Sequence, residues 1–169
     1  MNGIRFVFLL LLIAVGAGGC GQVPGGCQAS WVAPGEKLLG SKAPDFTLSN
    51  LAGEKIELGN LVREKATLLV FWATWCPSCV EEIPTLNEWT EKYPDLQILG
   101  INVEEPADRI RDFAEKFQIR YPVLLDEDAA VTQQYGLVGI PATILVAKGG
   151  QIIYYGFTLP ENIGQLIKS

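Results

Sequence analysis

The chain has 169 residues, 49% of them hydrophobic, a formal net charge of −6 and no histidine. That length suits one domain with an extension, and the apolar share is enough for a core without disulfide staples. The missing histidine excludes imidazole acid–base catalysis and histidine-ligated metal sites, while the acidic balance argues against nucleic acid or an anionic lipid surface as main partner.

Residues 1–5 carry one cation, Arg5, and 6–15 are an unbroken apolar run that ends in Gly16-Ala17-Gly18-Gly19-Cys20. A charged start, a short apolar stretch and a small-residue cleavage site describe an export signal over 1–19. The run falls short of the roughly 20 residues a bilayer span needs; an uncleaved anchor is the alternative. The ending resembles a bacterial lipobox, although Ala17 stands where Leu is usual. That resemblance implies acylation of Cys20 and tethering of the mature protein to a membrane through it. In the other reading the signal is simply cleaved and Cys20 is left to pair with Cys27 or stay free. Removal of 1–19 takes away only Arg5 and makes the chain one charge more acidic.

Residues 20–40 are rich in Gly and Pro with no apolar period and read as a linker, leaving 41–169 as the folded domain. Phe46 and Leu48, then Ile56 and Leu58, flank Ala52-Gly53-Glu54 and predict a β-hairpin. The continuous apolar run 67–73 predicts a central strand covered on both faces. From 77 to 93, Ile83, Leu86, Trp89 and Tyr93 recur at helical spacing, with Pro77 in the first turn and Pro84 as an internal kink. A buried strand follows at 96–103, then a helix at 106–117 with Ile110, Phe113, Ala114 and Phe117 on one stripe. The spacing next predicts a strand at 121–125, a short helix at 128–135 ended by Gly136, a hairpin of 143–147 with 151–156, and a terminal helix from Pro160. Strands alternating with helices give an α/β sheet with helices on both faces.

The chemistry centres on Cys76 and Cys79, placed where an apolar strand passes into a helix. A cysteine at a helix N-terminus is close to unpaired N–H groups and the positive end of the macrodipole, which favour thiolate over thiol. Cys76 is thus the expected exposed nucleophile and Cys79 the buried resolving thiol, one turn on and within reach of a disulfide. A static disulfide is a weaker reading because so short a loop stabilises little, and half a zinc site is weaker still because further ligands are lacking. Glu82 lies three residues after Cys79 and on the same helix face; Glu81 lies nearly opposite. It is either a solvated helix glutamate or an acid serving the cysteines. Trp75 is expected as a flat apolar cover on the Cys76 sulfur, Trp72 as core. Asp126-Glu127-Asp128 reads as helix-capping acids rather than a cation site.

Trp72-Ala73-Thr74-Trp75-Cys76-Pro77-Ser78-Cys79 resembles the thioredoxin active site, and more narrowly that of the TlpA/ResA-like membrane-tethered thioredoxins. The likeness includes Gly40 through Phe46, Glu82-Ile83-Pro84, Tyr135-Gly136 and Gly139-Ile140-Pro141-Ala142-Thr143. It implies a thioredoxin fold with a central mixed β-sheet, an N-terminal β-hairpin and an inserted helix–strand unit at 106–125. It implies that Pro141 is a cis-proline facing the disulfide and that the Ile140 backbone pairs with an extended substrate; a trans proline opening a strand is what the sequence alone also allows. It implies that Glu82 sits under the disulfide and handles protons, since thioredoxin's buried aspartate is replaced here by Val70. Pro77 and Ser78 would tune the potential. The expected activity is thiol–disulfide exchange, as a reductase of exported protein disulfides such as those of apocytochrome c, recharged by a membrane electron donor, with no metal or organic cofactor. A thiol peroxidase of the same fold is disfavoured because Ala73, not Thr or Ser, stands three residues before Cys76. A non-catalytic tethered binding module is the third reading.

Overall fold

The structure is a computed structural model and describes residues 37–168. The expected export signal, Cys20, Cys27 and the linker as far as residue 36 lie outside them. β3 (Ala66–Trp72) has all seven residues buried, which requires a partner strand on each edge and helices on each face. β4 (Leu96–Val103) pairs with it in parallel and β6 (Ala142–Val146) antiparallel. With β1 (Thr47–Asn50), β2 (Lys55–Glu57), β5 (Val123–Asp126) and β7 (Ile152–Gly156) the sheet runs β2-β1-β5-β4-β3-β6-β7. Its middle, β5-β4-β3, is parallel and its flanks antiparallel, so it is a mixed sheet.

Alternation along β3 sorts the core into two layers. Leu69 and Phe71 pack with Leu58 and Val62 of α1 (Leu58–Glu64) and Val131 of α4 (Ala130–Gln134). Leu68 and Val70 face the other way, against Leu86 and Trp89 of α2 (Pro77–Lys92) and Ile163 of α5 (Ile163–Leu166). Trp72 continues that second layer beneath Ile110 of α3 (Ala107–Lys116). Each of these side chains, fully buried, contributes roughly 1.5–3 kcal/mol. Gly100 in β4 makes the layer possible: a Cβ there would lie 2.7 Å from Tyr121 Cε2 and 3.1 Å from Trp72 Nε1. The hairpin, the central strands, the α3–β5 unit and helices on both faces are as the sequence predicts.

Two features differ from the sequence expectation. β2 ends at Glu57 and Leu58 opens α1 instead of closing the hairpin. The cause is tertiary: Asp45 Oδ1 accepts the Gly59 N–H at 2.8 Å, capping the first turn from fourteen residues away. Pro84 lies inside α2, as expected, and the helix continues past it to Lys92. And the folded body extends into the expected linker, since Leu38 packs on the core and the Gly40 N–H donates to the Ile152 carbonyl at 2.8 Å.

Candidate active site

The carboxyl end of β3 passes into α2 through a tight turn, residues 73–76, closed by the Cys76 N–H donating to the Ala73 carbonyl at 3.2 Å. Cys76 is the N-cap of α2 with extended backbone, and Pro77 occupies the first helical position, where its missing N–H costs no hydrogen bond. The Cys79 N–H points at Cys76 Sγ at 3.3 Å, so an unpaired donor of the first turn faces the sulfur that must carry charge. Cys76 and Cys79 form a disulfide, with Cα atoms 5.3 Å apart. The Ser78 hydroxyl lies 3.5 Å from Cys76 Sγ.

One expectation about exposure is corrected here. Cys76 is 5% exposed and Cys79 3%, so burial does not distinguish them in the disulfide state; the helix-capping position of Cys76 does. Both pack with Trp72, Ile110 and Val123, and Ile140 leans on the same cluster. Trp75 is 67% exposed, so most of its surface is open to solvent next to Cys76. Trp72 is core, as expected.

Glu82 is half-buried one turn beyond Cys79, while Glu81 is exposed. Burial pushes its carboxyl up to about 6, against a hydrogen bond from the Leu159 backbone that lowers it. Its Oε2 is buried with no hydrogen-bond partner. A carboxyl in that state takes up a proton near neutral pH. Tyr121 is its neighbour below: burial first, and the Glu82 charge second, raise the phenol above its ordinary value. Val70 is 2% exposed within the second layer, so the strand offers no acid. The groove beside Glu82 is lined by Ser78, Pro141, Phe157 and Leu159.

Pro141 joins this groove through a cis Ile140–Pro141 bond, which the resemblance implied. The chain preceding it presents Val138 at 70% exposure. Trp75, next to Cys76 in the chain, and the 46% exposed Phe157, which lines the groove, are also apolar and open to solvent. Asp126 and Asp128 cap α4, Asp126 accepting the Val131 and Thr132 N–H groups at 3.0 and 2.8 Å, as expected of them.

Sequence reasoning missed Glu105. It is 4% exposed and accepts from the Thr74 N–H at 2.6 Å, the Thr74 hydroxyl at 2.5 Å and the Asn102 amide at 2.9 Å. Burial alone would raise its carboxyl; the Thr74 and Asn102 hydrogen bonds and the Arg109 charge hold it below its ordinary value. The one visible hint is an acid just past a buried strand, in Val103-Glu104-Glu105-Pro106.

Among the described residues no group of three or more His, Cys, Asp or Glu is arranged to hold a metal, and no helix is long and apolar enough to cross a membrane.

The AhpC/TSA family matches residues 39–155. The chain is 38% identical over 135 residues to the thiol-disulfide oxidoreductase ResA of Geobacillus thermodenitrificans, covering 78% of this chain and 77% of that protein. It is 31% identical over 155 residues to ResA of Bacillus thuringiensis, covering 90% and 86%. Among solved structures it superposes on the thioredoxin domain of a thiol-disulfide oxidoreductase from Bacteroides vulgatus with a TM-score of 0.69 and 25% identity, over 76% of this chain and 97% of that one.

Proposed function

Because the chain belongs to the AhpC/TSA family, as a ResA-like thiol-disulfide oxidoreductase, we propose that it works outside the cytoplasm as a reductase of protein disulfides, in a role such as cytochrome c maturation. The observation that carries this reading is the Cys76–Cys79 pair capping α2, with the half-buried carboxyl of Glu82 one turn on.

Cys76 thiolate attacks one sulfur of a substrate disulfide. The S–Cys76 bond forms, the substrate S–S bond breaks, and the leaving thiolate takes a proton from solvent. Cys79 then gives its proton to Glu82 and attacks Cys76 Sγ, remaking the Cys76–Cys79 disulfide and releasing the second substrate thiol. The substrate gains two electrons from the pair and two protons, one from solvent and one that passes from Cys79 by way of Glu82 to the second leaving thiolate. A dithiol donor in the membrane returns the enzyme to its reduced form. An extended substrate segment pairs with the backbone at Ile140, next to Pro141, while Trp75, Val138 and Phe157 hold its apolar flank. Pro77 and Ser78 shape the potential from inside the turn. Cys20 carries the lipid that keeps the domain at the membrane surface.

Ala73 is fully buried and has no hydroxyl, which disfavours peroxide chemistry at Cys76. The test is trapping. Cys79→Ser should accumulate a mixed disulfide with a disulfide-bonded two-cysteine peptide, whereas Cys76→Ser should neither trap nor reduce it. Trapping by Cys76→Ser alone reverses the roles, and an inert wild type in insulin reduction ends the reading.

A further inference from the structure

Two carboxylates are buried among the described residues, Asp126 and Glu105. Each sits at or just past the end of a sheet strand and before a helix, but they serve different ends. Asp126 turns forward and caps its own helix, α4. Glu105 precedes α3, whose N-terminus receives no side-chain cap. Its carboxylate is aimed instead across the sheet's carboxyl edge at the turn that leads to Cys76.

The aim is set by the backbone. β3 and β4 run parallel with Trp72 opposite Asn102, so the segments leaving both strands emerge side by side. Glu104 then takes a left-handed conformation, φ 57, which a non-glycine residue adopts at a cost of roughly 1–3 kcal/mol. Glu105 is thereby brought beside Thr74, thirty-one positions earlier. The two oxygens divide the work: Oε2 accepts the Thr74 N–H and the Asn102 amide, and Oε1 accepts the Thr74 hydroxyl. Thr74 is the second residue of the 73–76 turn. With both its donors held, the plane of that turn is fixed, and so is the direction in which Cys76 enters α2.

Arg109 adds little, since it is 3.6 Å away and 63% exposed. A carboxylate suits the spot because three donors converge on it and it is acceptor-only.

We infer that Glu105 is a positioning residue for the nucleophile: by clamping Thr74 it fixes Cys76 at the α2 N-terminus and so favours the reduced, thiolate form of the pair. The inference rests on thiol–disulfide exchange at Cys76, but its readouts need no protein substrate.

The experiment compares wild type with Glu105→Ala, Glu105→Gln and Thr74→Val. It measures the equilibrium of the Cys76–Cys79 couple with glutathione and the iodoacetamide rate of reduced Cys76 at one fixed pH. In Glu105→Gln the new side-chain carbonyl can still accept from the Thr74 N–H while the Thr74 hydroxyl turns to accept from the new amide, so the clamp survives without the charge. Glu105→Ala should shift the equilibrium about tenfold towards the disulfide, about 30 mV more reducing, and slow alkylation about tenfold. Thr74→Val, which loses one of the two bonds, should shift both about threefold, and Glu105→Gln should stay within about twofold of wild type. Folded Glu105→Ala with wild-type values overturns the inference. So does Thr74→Val with wild-type values, which decides the matter even where Glu105→Ala does not fold. Glu105→Gln shifted as far as Glu105→Ala overturns it too, because the charge would then act and not the clamp. A wild type with a normal couple that reduces no protein disulfide counts against the proposed function and leaves this inference standing.

Discussion

Replacing Glu82 by Gln tests the proposed proton transfer directly. With its carboxyl pushed up to about 6, Glu82 is roughly nine-tenths ionised at pH 7 and available as a base. Cys79 is 3% exposed among Trp72, Ile110 and Val123, and burial disfavours the thiolate it must become. A positioned base contributes about 10²–10⁴-fold. A carboxylate is a weaker base than a thiolate, so the Glu82 contribution belongs at or under the low end, about ten- to a hundredfold. The assay starts from enzyme carrying thionitrobenzoate on Cys76; attack by Cys79 releases the coloured thiolate in a single turnover and isolates the second step. Wild type should quicken through about pH 6 and level off, and Glu82→Gln should quicken only at more alkaline pH. Formation of the mixed disulfide should change little. Release from Glu82→Gln at the wild-type rate across this range would refute the argument, as would an equal slowing in the exposed Glu81→Gln.

The same substitution should affect stability with a definite sign. Glu82 has its pKa raised on folding, so its stabilising contribution is full below about 4.5 and lost as pH rises through about 6. Oxidised Glu82→Gln should therefore gain on wild type above pH 6, by about 1 kcal/mol once solvent screening is allowed for, and lose that gain below about 4.5; urea melts at pH 4 and 8 with equal differences would contradict this. Gly100→Ala should cost about 1–3 kcal/mol by overpacking against Tyr121 and Trp72, read as a lower denaturation midpoint at unchanged m-value. Mass spectrometry of the mature N-terminal peptide should find an acylated Cys20; an unmodified peptide there removes the lipid anchor from the proposal.

The parts that sequence predicts well are those whose cause is local. β3 is a run of seven buried residues and α2 repeats its apolar positions every three or four, so each announces itself within one short window. Cys76, Cys79 and Glu82 fall on that one helix and its cap, and are legible for the same reason. α1 is not, because its cap comes from Asp45 and its seven residues carry too short a pattern. Glu105 leaves only the hint of an acid after a buried strand, because it is the parallel pairing of β3 with β4 that brings it to Thr74. The exposure of Trp75 and the burial of Cys76 depend on how the 73–76 turn lies against α3 and Ile140, which no spacing along the chain encodes.

The three reacting groups lie at intervals of three residues along α2, while the Leu159 amide that meets Glu82 belongs to the chain beyond β7. They therefore travel as one cassette, while the hydrogen bond that sets the Glu82 carboxyl against its burial comes from Leu159, off the helix. Any tilt of the helix that spares the distances between sulfurs and carboxyl still breaks or tightens that one bond, and with it the proton affinity of Glu82. The carbon chemical shift of a single labelled carboxyl, followed by NMR through a redox cycle, would thus serve as a gauge of how the helix is seated, sensitive to displacements that leave the cysteines themselves silent.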